Sequence, residues 1–385
     1  MIIICEPQFA GFAHAKVNAA LIAAVRCAFP EDEILFLAER EHLELVNSIL
    51  KDRRVKIPSR EIGVPSRSLR NFRRLPQELR LCRHVFDTAR NSAANKVLFA
   101  SMTSATLISV KVLLRFFDEI QCVVIPHDVL NSVTKRPRLM SLEAPFWLRF
   151  WITFGNTRRL RYLVLSPYIE ERLSTLLPKI RERVRSVDLP YFFDEEQAFQ
   201  SLDRDLIRFG LLGVASYSKG TGIFFAMARR ILQSSPPSVP EFVVVGPITD
   251  RTIKTLEGGS VIVASPNVPL SCEDFATRAN SVDYVLFLNR PGAYDLVMSG
   301  SLMDAFSYAK PIIALKQPLF DHYFKAMGDI GYLCESYEEI EAQIRDILAH
   351  IPTERYLTQK RTILEARKRF SPRAASQVLA NLWRP

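Results

Sequence analysis

The sequence predicts an α/β protein with two doubly wound parallel sheets in separate domains, and three observations lead there. Short apolar runs of strand length recur, most of them separated by segments with helical periodicity. The runs fall into two series of five. Between the series lies "VDLPYFFDEEQAFQSLDRD" (187–205), which fits neither period.

The first series is "MIIIC" (1–5), "EILFLA" (33–38), "KVLFAS" (96–101), "QCVVIPHD" (121–128) and "YLVLSP" (162–167). These runs are β-branched or aromatic with little polar alternation, as strands covered on both faces require. The second series is "IRFGLLGVAS" (207–216), "EFVVVGP" (241–247), "SVIVASP" (260–266), "DYVLFLN" (283–289) and "KPIIALK" (310–316). "SSPPSVP" (234–240) reads as a surface loop, and the C-terminal stretch reads as helix, a Ser-Pro break near 371–372 and a further helix. The expected domains are 1–190, a linker at 191–205, a second domain at 206–370, and a terminal helix at 371–385 that packs back on the first domain. Two such sheets place a cleft at the carboxyl ends of their strands.

The 385 residues are enough for two cores, and the 48% hydrophobic and 24% charged residues are globular values. No run approaches the ~20 apolar residues that cross a bilayer. The N-terminus has no basic region ahead of its apolar run, so it reads as a strand and not a signal peptide. Six cysteines stand far apart without a CxxC pair, which argues against a disulfide framework or zinc site and favours a reducing cytoplasm.

The net charge of +10 is uneven: residues 1–204 hold 31 Lys+Arg against 23 Asp+Glu, and residues 51–90 alone hold 12 against 4. That stretch is either a solvated helical face or a surface for an anionic membrane, a phosphorylated acceptor or nucleic acid.

Three stations in the second series can meet one ligand. In "GLLGVASYSKGTG" (210–222), Gly213 and Ser216 let backbone approach a phosphate while Lys219 supplies charge, although neither a Walker A loop nor a GxGxxG fingerprint is present. In "VASPNVPLSCEDFATRA" (263–279), a loop after a strand presents backbone groups to a base edge, with Val268 and Pro269 against its face and a helix beginning near Ser271. In "YDLVMSGSLMDAFSYAKPIIAL" (294–315), Ser299, Gly300 and Ser301 form an anion cradle at a helix start, with Asp304 one turn later to accept a ribose diol. Each has an ordinary structural alternative: a βα loop, a helix cap or a first-turn acid.

The order of these stations resembles the donor domain of GT-B glycosyltransferases, in particular the class that builds bacterial polysaccharides and lipopolysaccharides. "GLLGVASYSKG" and "SGSLMDAFSYAKPIIA" carry the likeness, and "DLPYFF" looks like the family's lead-in to the second domain. The resemblance implies two Rossmann-like domains facing across a cleft, Lys219 on the donor diphosphate, the cradle on the distal phosphate, Asp304 on the ribose, and no cofactor beyond a nucleotide-diphosphate sugar. The commoner family pattern has two glutamates seven residues apart. Here Asp304 stands at the second and Leu296 at the first, leaving Tyr294 or Asp295 to reach the sugar. The glycine usually found before the proline is displaced, since the chain reads Ala309-Lys310-Pro311.

In the first series, His14 and the pair His127-Asp128 follow strand ends. A sugar hydroxyl attacking an anomeric carbon gains from a base near neutrality, which a carboxylate can orient or replace. Structural histidines are the alternative, and a retaining enzyme needs no side-chain base. Residues 134–161 interleave Phe146, Trp147, Phe150, Trp151 and Phe154 with arginines, which suits either an anionic membrane surface or a core helix. A lipid-linked saccharide acceptor and a peripheral place on the inner face of the cell membrane accommodate both this segment and 51–90. "DRD" (203–205) imitates the metal-binding DxD of another glycosyltransferase fold, but its place in the linker assigns no metal. A nucleotide-sugar epimerase and, less favoured, a nucleic-acid-binding protein are the competing expectations.

Overall fold

The computed structural model describes residues 1–138, 140–193, 202, 205–234, 236–249, 260–265, 267–268, 270–290, 292 and 294–383. They form two compact units. The first comprises Met1–Phe192, Leu296–Met298 and Arg369–Pro385, and the second comprises Phe193–Asp295 and Ser299–Lys368.

In the first unit, β1 (Ile2–Cys5), α1 (Ala15–Ala28), β2 (Ile34–Ala38), α2 (Arg40–Asp52), β3 (Ser59–Glu61), α3 (Asn71–Asn91), β4 (Lys96–Phe99), α4 (Ser104–Leu113), β5 (Gln121–Val124), α5 (Leu148–Thr153), β6 (Leu160–Val164), α6 (Pro167–Leu176) and β7 (Val184–Ser186) follow one another. The sheet order is β3-β2-β1-β4-β5-β6-β7, with every pairing parallel. The central strands are fully buried, as their apolar runs require.

In the second unit, β8 (Leu206–Leu212), α7 (Thr221–Gln233), β9 (Val239–Val245), β10 (Ile262–Val263), α8 (Cys272–Ser281), β11 (Tyr284–Phe287), α9 (Gly300–Ser307), β12 (Ile312–Leu315), α10 (Pro318–Met327), β13 (Gly331–Cys334), α11 (Tyr337–His350) and α12 (Thr353–Ala366) follow one another. Their parallel sheet has the order β10-β9-β8-β11-β12-β13. Aromatic rings dominate the core: Phe209 stacks on both Phe242 and Tyr284, with centroids 5.6 and 5.8 Å apart. The chain then returns to the first unit, where α13 (Pro372–Leu379), capped by Ser371 Oγ, packs on α1. That contact explains why nine positions of the alanine-rich α1 are buried.

All ten strand-like runs become strands. Three further strands form: β3 and β7 lack the apolar signal, and β13 is a short, mostly buried Gly-Tyr-Leu-Cys run that the two series do not include. The residues of β3 are all exposed, so no burial pattern marks it. The proline-rich 234–240 segment is shorter as a loop than expected, because β9 already begins at Val239. Residues 194–201, 203 and 204 of the linker, and with them most of the DRD motif, lie outside the described residues. None of the described helices is long and apolar enough to cross a membrane.

Candidate active site

In each sheet the strand order reverses at one point, between β1 and β4 in the first and between β8 and β11 in the second. Loops that leave the carboxyl ends of strands on either side of such a reversal diverge, which opens a crevice for a ligand. His14 follows β1, and the 213–220 and 294–304 residues follow β8 and β11, whereas His127 and Asp128 follow β5, one strand beyond β4.

In the second unit, Gly213 follows β8 at φ +78°, a conformation that favours glycine, and a Cβ there would stand 3.2 Å from Ser301 Oγ and 3.9 Å from Lys219 Nζ. Lys219 Nζ donates to Ser301 Oγ at 3.2 Å, and Ser301 Oγ donates to the Leu212 carbonyl at 2.8 Å. Burial lowers the pKa of Lys219, with Asp304 opposing the shift. Gly220, at φ +74°, closes this loop and caps α7. A side chain there would collide with the Leu288 carbonyl at 2.1 Å.

Ser299 caps α9, accepting from the Leu302 amide at 3.3 Å and donating to Tyr294 Oη at 3.2 Å. The amides of Gly300 and Ser301 make no hydrogen bond among the described residues, as expected of a first turn. Burial raises the pKa of Tyr294. Lys219, Tyr294, Ser301 and the buried Asn289 line one narrow pocket with Leu212 and Ala215. Ser216 is not among the residues lining this pocket, and its carbonyl accepts from Thr221 Oγ1 at 2.9 Å. Val268 is 62% exposed and is not among the residues lining this pocket, and Pro269 lies outside the described residues. Leu296 is fully buried in the first unit, with its amide donating to Asn131 Oδ1 at 3.0 Å, so it offers no substitute for a glutamate.

In the first unit, Glu6 follows β1 and is completely buried. Its carboxylate accepts from the amides of Gln8 (2.9 Å) and Phe9 (3.1 Å), from Asn18 Nδ2 (3.0 Å) and from Ser101 Oγ. Desolvation nevertheless raises its pKa. Asn18 Nδ2 also meets His42 Nε2 at 2.9 Å, and His42 Nδ1 meets the Gly11 carbonyl at 2.8 Å. The amide donor fixes Nε2 as the acceptor and Nδ1 as the protonated nitrogen. This network holds the 6–14 loop so that Phe9 stacks on His14, with centroids 3.7 Å apart and planes at 14°.

His14 in turn meets His127 edge to face. His14 occupies the left-handed region at φ 63°, costly for a residue with a side chain. Burial, then His127 and Arg67, holds its imidazole well below its ordinary pKa, and burial brings His127 down to about 4 against the pull of Asp128. Asp128 accepts from Gln8 Nε2 at 3.1 Å and from Arg67 Nη2 at 3.0 Å, while the Arg67 guanidinium lies 4.5 Å from the Phe9 ring centroid. Gln8 Oε1 is buried with no partner among the described residues.

His14, His127 and Asp128, expected after strand ends, lie together, and Gln8, Phe9 and Arg67, with Glu6 beneath them, join the cluster without a local sequence signal. Arg67 was visible only as one charge in the basic 51–90 stretch. Arg74 of that stretch is a core residue, its Nε donating to the buried Glu78 at 2.7 Å. Most of the remaining cations there are exposed. Residues 134–161 divide as well. Phe146 is buried against Ala105 and Ile108, whereas Phe150 and Phe154 are each 47% exposed. Arg159 and Arg161 of this segment are bound to backbone carbonyls of Leu114 and Leu382 at 2.6 and 2.8 Å.

The sequence matches no protein-family model and no curated protein. Solved structures are similar over nearly the whole chain. HepE of Anabaena, in complex with UDP and glucose, aligns over 99% of this chain and 98% of its own with a TM-score of 0.66 at 16% identity. WaaG, a glycosyltransferase involved in lipopolysaccharide biosynthesis, aligns over 100% of both chains with a TM-score of 0.64 at 12% identity. A Listeria monocytogenes protein assigned as a UDP-N-acetylglucosamine 2-epimerase aligns over 99% of this chain and 95% of its own, with a TM-score of 0.59 at 12% identity. The fold is therefore that of two-domain α/β proteins with a Rossmann-like sheet in each domain. It is the GT-B fold.

Proposed function

We propose that the chain is a glycosyltransferase that moves a sugar from a nucleoside-diphosphate donor to a saccharide acceptor. The observation that carries this reading is the contact of Lys219 with Ser301 beside Gly213, in front of the unengaged amides of α9. A cation, a hydroxyl and two amide donors around a glycine suit the distal phosphate of a diphosphate, and that phosphate must be neutralised as it leaves with its charge. The pocket is only the foothold, and base and ribose extend beyond it, with Asp304 assigned to the ribose and the Val268-Pro269 loop to the base. HepE with bound UDP makes UDP the first nucleotide to test.

In the first unit, Asp128 is the candidate proton acceptor, with His14 and His127 neutral at pH 7 and able to take hydrogen bonds from sugar hydroxyls. The reading includes no metal and no cofactor beyond the nucleotide sugar. It also includes a lipid-linked acceptor in bacterial cell-surface polysaccharide or lipopolysaccharide synthesis at the inner face of the membrane, with the exposed Phe150 and Phe154 and the cations of 51–90 toward the lipid. An epimerase acting on the same nucleotide sugar is the second reading, supported by the likeness to the Listeria protein.

The test is a thermal-shift and calorimetric screen against UDP, GDP, CMP, dTDP and their sugar conjugates, because a ligand specific for the folded state raises the melting temperature. A shift with one diphosphate, followed by nucleotide release that needs an acceptor saccharide, is the expected result. Sugar inversion without an acceptor would select the epimerase. Absence of any shift would remove the nucleotide-sugar reading.

A further inference from the structure

The ends of β5 and β6 opposite His127 and Asp128 border a surface cavity of about 830 Å³, a size that accommodates a small ligand. Its cations come from three consecutive places: Arg158 before β6, Arg161 within it, and Lys179, Arg181 and Arg183 from the turn that leads into β7. Trp383, beyond α13, completes the wall. Glu182 is the acidic residue among the lining side chains.

The cations divide by what holds them. Arg161 Nη1 donates to the Leu382 carbonyl at 2.8 Å and Arg183 Nη1 to the Thr157 carbonyl at 2.5 Å, which fixes both guanidinium planes while leaving their charges uncompensated. Arg159 also lines the cavity but is satisfied by Asp118 at 2.8 Å and by backbone carbonyls. Arg158 and Arg181 are exposed, and their side chains make no hydrogen bond or ion pair among the described residues. The Trp383 ring is buried, and its Nε1 has no partner among them. An unsatisfied buried donor costs stability, so its persistence beside a cationic cavity is informative. Burial and the neighbouring Arg185 and Arg183 lower the pKa of Arg161, so these cations repel one another. A multiply charged anion would relieve that repulsion, and bidentate guanidinium contacts suit phosphate oxygens.

We propose that the cavity framed by Arg158, Arg161, Lys179, Arg181, Arg183 and Trp383 binds a phosphate-bearing ligand, at a site separate from the Lys219 pocket. Arg161 and Arg183 are its preset anchors. Arg158 and Arg181 close on the anion from the rim. The phosphate belongs either to a soluble phosphorylated compound or to a lipid headgroup.

The test uses the full chain with Lys219→Ala throughout, so that the second unit's pocket is impaired whatever its natural ligand. Pyrophosphate is titrated calorimetrically at 150 mM salt, and sedimentation is measured with phosphatidylcholine vesicles with and without phosphatidic acid. Arg158→Ala/Arg181→Ala removes the two rim cations without removing a structural bond. Arg229→Ala/Arg361→Ala, at exposed positions of α7 and α12 in the second unit, makes the same charge change elsewhere. The expected result is a loss of about tenfold or more in affinity with the rim pair and little change with the control pair. Pyrophosphate binding that depends on the rim pair assigns a soluble phosphate. Dependence seen only with phosphatidic-acid vesicles assigns a headgroup. Absence of binding to both probes, or equal losses in the two double variants, would overturn the proposal.

Discussion

The imidazole rings of His14 and His127 meet at 70° with their centroids 4.3 Å apart, although 113 residues separate them and neither contacts the other through the sheet ladder. The pair is possible because β1 and β5 both flank β4, so the loops at their carboxyl ends lie two strands apart. Two protonated rings at this distance would repel. Burial therefore holds both neutral at pH 7, and the proximity of His127 adds to the effect on His14.

This neutrality predicts a pH dependence. The His127 pKa is about 4 in the folded chain against an ordinary value of 6.5, so the unfolded chain binds more protons between these limits. The stability is fully present above about pH 6.5 and is lost as pH falls toward 4. His127→Asn should flatten the fall in melting temperature between pH 7 and 4.5. An unchanged slope would contradict the depressed pKa, and a ring-nitrogen NMR titration would locate it directly.

Lys219→Ala should weaken binding of the diphosphate nucleotide by about tenfold to a hundredfold, the range for one charge-assisted hydrogen bond to phosphate. The melting temperature without ligand should change little, because the lost bond to Ser301 is offset by removing a desolvated ammonium. Isothermal titration with UDP and differential scanning calorimetry separate the two effects. Undiminished affinity would take Lys219 out of the phosphate site.

Gly220→Ala should destabilise the second unit by about 2 kcal/mol or more, combining left-handed backbone strain with collision against the Leu288 carbonyl. Urea denaturation followed by tryptophan-independent circular dichroism measures it. A neutral result would mean that the β8–α7 loop can shift without consequence.

Arg74→Ala leaves the buried Glu78 with only the hydroxyls of Thr103 and Thr106. Removing one partner of a buried ion pair costs about 3–5 kcal/mol. The neighbouring exposed Arg80→Ala should cost less than about 0.5 kcal/mol. Equal effects of the two substitutions would show that the 51–90 arginines act as a single solvated face.

Phe150→Ser/Phe154→Ser should reduce sedimentation with anionic vesicles while sparing the melting temperature, since each ring is about half exposed. Unchanged vesicle binding would remove these rings from the membrane reading.

Much of the architecture was legible in the sequence because a strand covered on both faces must be apolar along its whole length, and ten such runs are visible without any partner. The loops at 213–220 and 299–304 were legible for a similar local reason, since glycine, lysine and serine at a strand-to-helix junction restrict what the backbone can do there. The strands β3 and β7 were not, because short, largely polar edge strands owe their conformation to neighbours and not to their own side chains. Arg67 and Arg74 show the same boundary at the level of single residues. Both are arginines in one basic stretch, yet one lies over Phe9 and binds Asp128, and the other is buried against Glu78. Sequence periodicity determined which segments enter each sheet. Only tertiary packing decided which charges meet, because the energy of a charged group depends on the partner and solvent exposure that long-range contacts give it.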